Sequence, residues 1–202
     1  MSSGTRFPAR TRDEMPTQAE KDVHDVLHSR LAEMIGQDNK KVICSPDGKL
    51  LGHFQTATYT PAFSKSFYDT IGQLYALPIE PNVREICVLL SAAHFKSKYP
   101  AYVRAPMVKQ FTTLTTEQTR ALMAGERPVD LKKNEEITFD ILQELQVTRG
   151  PLSDETFNEA VHLLGKEQTL SVIYFAGLYS MISILANGAD VGLPYGEDEV
   201  TV

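Results

Sequence analysis

Residues 97–107 read SKYPAYVRAPM, placing a lysine, two tyrosines, an arginine and two prolines in eleven consecutive positions. Arg104 cannot act as a base near neutral pH, but its five donors can hold a carboxylate or polarise a carbonyl. Lys98, Tyr99 and Tyr102 lie along the same stretch as candidate substrate contacts. Tyr99 becomes a proton donor only where its surroundings lower its pKa. His94, one helical turn before Lys98, is the nearest candidate acid/base, with a hydrogen-bonded core histidine as its alternative. Two readings of Arg104 stand side by side: an anchor for substrate oxygen, or a salt-bridge partner to Glu85 or across a subunit interface. Tyr99 and Tyr102 likewise read either as pocket residues or as packing residues with satisfied hydroxyls. Chemistry on such a set would proceed by positioning and electrostatic stabilisation.

Thiol and metal chemistry find little support. Cys44 and Cys87 are far apart and form neither a CxxC pair nor a zinc spacing, and Cys87 reads as a small core residue. His24, His28 and His162 lie on amphipathic helices without a surrounding carboxylate and histidine cluster. No metal and no cofactor is expected.

The elements that must position these residues read as helices separated by turns, with hardly any period-two alternation. Thr17 and Glu20 form a capping box ahead of an apolar stripe through Val23, Val26, Leu27, Leu31, Met34 and Ile35, and Gly36 fits its stop. Asp47-Gly48 is turn chemistry, closing a short hairpin or a loop that lays Leu50, Leu51 and Phe54 on the core. Thr60 and Pro61 start a second helix with Phe63, Phe67, Ile71, Leu74 and Tyr75 on one face. NVREICVLLSAAHF is apolar on nearly all sides and should be surrounded by other helices. A short helix runs from a cap near Thr115 to Gly125, and another through Leu131, Ile137, Ile141, Leu142 and Leu145 to the break at Gly150-Pro151. SDETFNEAVHLLG and KEQTLSVIYFAGLYSMISILANG complete the set. In the last of these Ala176, Gly177, Ser180 and Ser183 are small residues at helical spacing, which allow another backbone to approach. The prediction is an all-α, single-domain multi-helix bundle of about seven helices, with an arm at 1–16, the domain at 17–195 and a solvated acidic tail at 196–202.

The chain of 202 residues has ample apolar content for a core, and its net charge of −6 argues against a nucleic-acid partner. Two cysteines suit a reducing, cytoplasmic setting. Residues 1–16 contain no apolar core for a secretory signal and only faintly match a transit peptide. They read as a mobile arm or a segment docked on a neighbouring subunit. Leu170 to Ala186 carries no charge, falls just short of a spanning helix, and reads as a core or interface helix, so no membrane is expected.

DGKLLGHFQTATYTPAF, VREICVLLSAAHFKSKYPAYVRAPM, LSDETFNEAVHLLG and GLYSMISILANGADVGLP together resemble the carboxymuconolactone decarboxylase-like family, which shares the alkylhydroperoxidase D-like fold. The resemblance covers roughly residues 45–195, closest to small, cofactor-free fungal members associated with secondary metabolism. In that family a Glu and a His one turn apart pass a proton to or from substrate, and other members reduce peroxide with a Cys-x-x-Cys pair. Here the glutamate position is Pro100, the tryptophan position Ala101 and the histidine position Arg104, and no thiol pair exists. The resemblance therefore implies a widened pocket in which Arg104 anchors substrate. Since the loop around His53 often faces the pocket in such folds, His53 joins Arg104, His94 and Tyr99 as a catalytic candidate. Tyr59 and Tyr179 join Lys98 and Tyr102 as substrate-binding candidates.

The implied function is a cofactor-independent isomerisation, cyclisation or related acid/base-assisted rearrangement of an oxygenated small molecule of polyketide or terpenoid type. Decarboxylase-type activity on a small carboxylate or lactone, and a non-catalytic binding or assembly role, are the alternatives. A homo-oligomer (dimer, trimer or hexamer) is implied as well.

Overall fold

The computed structural model describes residues 5–35 and 37–194. The Gly36 stop and the acidic tail lie outside the described residues. The protein is all-α: among the described residues there are eight α-helices and no strand. These are α1 (Gln18–Ile35), α2 (His53–Thr56), α3 (Pro61–Tyr75), α4 (Pro81–His94), α5 (Lys98–Phe111), α6 (Thr116–Ala124), α7 (Lys133–Thr148) and α8 (Asp154–Gly188). The last two helices of the sequence reading meet at Gly165, whose φ of +75° and ψ of 164° are non-helical, and are numbered together as α8. Helices α2 and α5 were not expected. Helix α5 is the SKYPAYVRAPM stretch itself, which its two prolines made look like a connection. Pro100 occupies the first turn, where no intrahelical donor is needed. Pro106 removes one internal bond at a cost of about 3 kcal/mol. Burial of Ala101, Val103, Ala105, Met107 and Val108 offsets that cost.

Contacts group the described residues into two compact units, those up to 73 together with 185–194, and residues 74–184. In the first, the Thr17 capping box forms as expected: the Thr17 N–H donates to Glu20 at 2.9 Å and the Glu20 N–H to Thr17 Oγ1 at 3.3 Å. Gly48 at φ +85° turns a short antiparallel bridge between Cys44 and Leu50. Leu50 and Phe54 are buried while Leu51 is half-buried.

The described residues of the arm pack on their own chain, with the Arg6 N–H donating to the Ala189 carbonyl at 3.1 Å and Tyr59 Oη donating to the Pro8 carbonyl at 2.8 Å. Arg10 lies 4.1 Å over the Tyr59 ring and donates to Glu20 at 2.9 Å. Met15, at the end of the arm, is buried.

In the second unit α4 is the central helix. Val83, Ile86, Cys87, Val88, Leu89 and Leu90 are all essentially inaccessible. Helices α5, α6 and α7 each pack against it, as its all-round apolar sequence requires. Helix α6 carries the Thr115 capping box and ends at Gly125, whose φ is +76°. Helix α7 ends at Thr148, with its cap Arg149 in the left-handed region just ahead of the Gly150-Pro151 break.

Candidate functional site

Within the second unit, ionisable side chains carried by α4, α5, α8 and the last residue of α3 come to one place. Glu85, on the second turn of α4, is only 1 % exposed. From α5, Arg104 donates to both of its oxygens: Nε to Oε2 at 2.8 Å and Nη2 to Oε1 in a close contact. Arg84 Nε adds a third bond to Oε1 at 3.2 Å. The last residue of α3, Tyr75, has its ring 5.2 Å from the Arg84 guanidinium and 5.9 Å from that of Arg104. Its hydroxyl is hydrogen-bonded to that of Tyr179 on α8. Phe175 closes the apolar side, meeting Tyr75 edge-on at 5.4 Å and stacking on Tyr179 at 6.4 Å.

Burial pushes the Arg104 guanidinium down, but the charge of Glu85 more than reverses this and holds it well above its usual range. The Tyr179 phenol is driven up by burial, with the neighbouring Tyr75 acting the same way, so it keeps its proton at any ordinary pH. The cluster is thus a carboxylate held by two guanidinium groups next to two hydrogen-bonded phenols. It opens toward solvent on one side, where Arg84 and Tyr75 remain partly exposed. Nε and Nη2 of Arg104 are committed to Glu85, while its Nη1 edge takes no part in that pair.

Of the eight site residues proposed from sequence, Arg104 and Tyr179 belong to this cluster. The others do not join it. Tyr99 is a core residue, 1 % exposed, with its ring 6.2 Å from that of half-buried Tyr102. Lys98 is exposed at the start of α5. His94 is not a core histidine: it is exposed at the end of α4, its ring edge-on to Phe95 at 4.9 Å.

His53 and Tyr59 belong to the first unit. Tyr59 is occupied by the arm. His53 is buried against Phe54, with ring centroids 4.0 Å apart, and burial lowers its pKa to about 3. It is therefore a neutral imidazole at physiological pH and no source of a proton. His24 Nε2 lies 2.9 Å from the Gly48 carbonyl, and its ring stacks on His28 at 5.8 Å. Among the described residues no group of three His, Cys, Asp or Glu side chains is placed to hold a metal.

Sequence reasoning named Glu85 only as a partner and missed Arg84 and Tyr75 as site members. A signal did exist. An Arg-Glu pair heads the most apolar helix of the chain, where charge is costly unless it is matched.

A second buried polar group offers a contrast. Asn82 donates to Glu135 at 2.7 Å and to Thr113 at 2.8 Å, and accepts from the Thr113 N–H at 3.0 Å, while Glu135 also accepts from the Lys132 N–H at 3.0 Å. That group ties helix ends together, and Glu135 serves as a cap. The Glu85 cluster caps nothing. No protein-family model matches the chain, and no curated protein matches it.

Proposed function

We propose that the chain is a cofactor-independent enzyme that carries out an acid/base-assisted rearrangement of an oxygenated small molecule at the cluster of Tyr75, Arg84, Glu85, Arg104 and Tyr179. One observation carries this reading: five ionisable side chains from four helices meet in an apolar interior. Buried ion pairs are commonly no more stabilising than apolar residues of the same volume, and strongly perturbed groups concentrate where chemistry is done.

In this reading a carbonyl or enolate oxygen enters past Tyr75 and Arg84 and takes hydrogen bonds from Tyr179 and the Nη1 edge of Arg104. Charge developing on that oxygen is stabilised in a water-poor site. As the substrate draws Arg104 toward itself, Glu85 is released to accept a proton from carbon. The kinship with carboxymuconolactone decarboxylase-like proteins, and a substrate of polyketide or terpenoid type, belong to the same proposal and rest on the motif residues.

The test follows proton–deuterium exchange at the activated carbon of 1,3-dicarbonyls and enolisable lactones in D2O by NMR. Wild type is expected to accelerate exchange for at least one compound. Tyr179→Phe, which keeps the ring, should lose about a hundredfold or more. Equal rates for wild type and a folded Tyr179→Phe variant would remove the cluster from catalysis.

A second reading is favoured by the two-pronged commitment of Arg104 to Glu85. The cluster would then be a fixed strut of a non-catalytic relative, and the whole panel would exchange at the uncatalysed rate.

A further inference from the structure

From Thr169 onward helix α8 is buried along much of its circumference, yet one stripe of it lies open. Leu170, Tyr174, Met181 and Ile184 are 48 %, 50 %, 41 % and 57 % exposed, and Gly177 is exposed between them. Their spacing alternates four and three residues, the repeat of a two-helix seam. No charged residue lies between Glu167 and Asp190. Of the small residues on this helix, Ala176 and Ser183 are buried in their own chain, Ser180 is half-buried and Gly177 is exposed.

We propose that this stripe is the interface of a two-fold, antiparallel dimer of the chain, independent of the function proposed above. The sizes of the side chains select the occupant. Aligned antiparallel, Met181 of one copy fits over Gly177 of the other, Tyr174 meets Ile184, and Leu170 meets Gly188, the last residue of α8. Each glycine thus faces a large side chain, and the two-fold axis repeats every contact. Parallel pairing would oppose Gly177 to Gly177, leaving a gap, and Glu167 to Glu167, a like-charge contact. The antiparallel arrangement opposes no charge to a charge. A bilayer is the poorer occupant, because 56 % of the most apolar window of α8 is already buried in its own chain.

The area sets the strength. The four large side chains expose about 400 Å² per copy, half of the ~800 Å² per partner of a standard stable interface. The dimer is accordingly weak, with a dissociation constant on the order of micromolar. Each copy carries a net charge of −6, so association should strengthen as salt screens that repulsion.

Sedimentation velocity of the full chain from low micromolar to several hundred micromolar tests this. Wild type should shift reversibly from 22.5 kDa toward twice that mass. Ile184→Lys should weaken association at least tenfold. Gly177→Leu is the decisive variant. A Cβ there meets nothing within 4 Å in the monomer, so the fold should tolerate it. Leucine adds apolar surface, so a merely sticky patch would associate more strongly, whereas the seam loses the gap that receives Met181 and should weaken at least tenfold. A wild type that stays monomeric throughout, dimers indifferent to both substitutions, stronger association of Gly177→Leu, or cosedimentation with phosphatidylcholine vesicles in place of self-association would each overturn the proposal.

Discussion

Arg104 and Glu85 show how an interior charge is tolerated: the carboxylate receives three donors and each guanidinium borrows an aromatic face. Removing one partner strands the other. Arg104→Met is expected to cost about 3–5 kcal/mol, and the joint replacement Glu85→Leu with Arg104→Met much less, because no charge is then left unmatched. Urea denaturation of wild type and these two variants measures this, and a loss below about 1 kcal/mol for Arg104→Met alone would mean that water reaches Glu85. His53 makes a second claim at this scale. Its folded pKa, about 3, lies below the ordinary value of 6.5. The unfolded chain therefore binds the proton first, and the stability held by the neutral imidazole, full above pH 6.5, drains as pH falls toward 3. The slope approaches about 1.4 kcal/mol per pH unit. Relative to wild type, His53→Gln should flatten the stability profile between pH 6 and pH 4, and parallel profiles would refute the assignment.

At the scale of elements, α8 depends on its bend. Gly165 sits at φ +75° and ψ 164°, a region closed to side chains, while its surroundings leave space for a Cβ. Gly165→Ala should thus cost about 1–3 kcal/mol through the backbone alone. Gly177→Ala, in regular helix, should stabilise the monomer by about 0.5–1 kcal/mol. Thermal unfolding distinguishes the two. Most helices were legible in the sequence, because Thr17, Thr115 and Gly125 mark ends by local chemistry and α4 announces its burial by composition. Helix α5 was not legible, because prolines at 100 and 106 signal interruption unless tertiary packing outweighs them. The site was half legible for a related reason. Arg104 and its link to Glu85 follow from charge arithmetic in an apolar setting. Tyr75, however, sits at a helix end within an apolar stripe, where nothing local distinguishes a packing ring from a hydrogen-bonded phenol. His94 misled because its helix is buried, although its own position at the C-terminus of α4 is exposed.

For the whole molecule, the two compact units each enclose one of the two cysteines. Cys44 is buried in the first and Cys87 in the second, and burial raises both thiols above their usual range. Neither should react appreciably with a disulfide reagent in the native state, with rates suppressed on the order of a thousandfold or more relative to an unfolded chain. Peptide mapping after a timed pulse of alkylating reagent would assign each modification to its cysteine, and fast native modification of either would contradict its burial. The chain thereby carries a built-in clock for each half. The mass tag acquired at one sulfur records how often that half breathes open, so a substitution at the Glu85 cluster and one in the arm can be scored separately in a single sample without any engineered label.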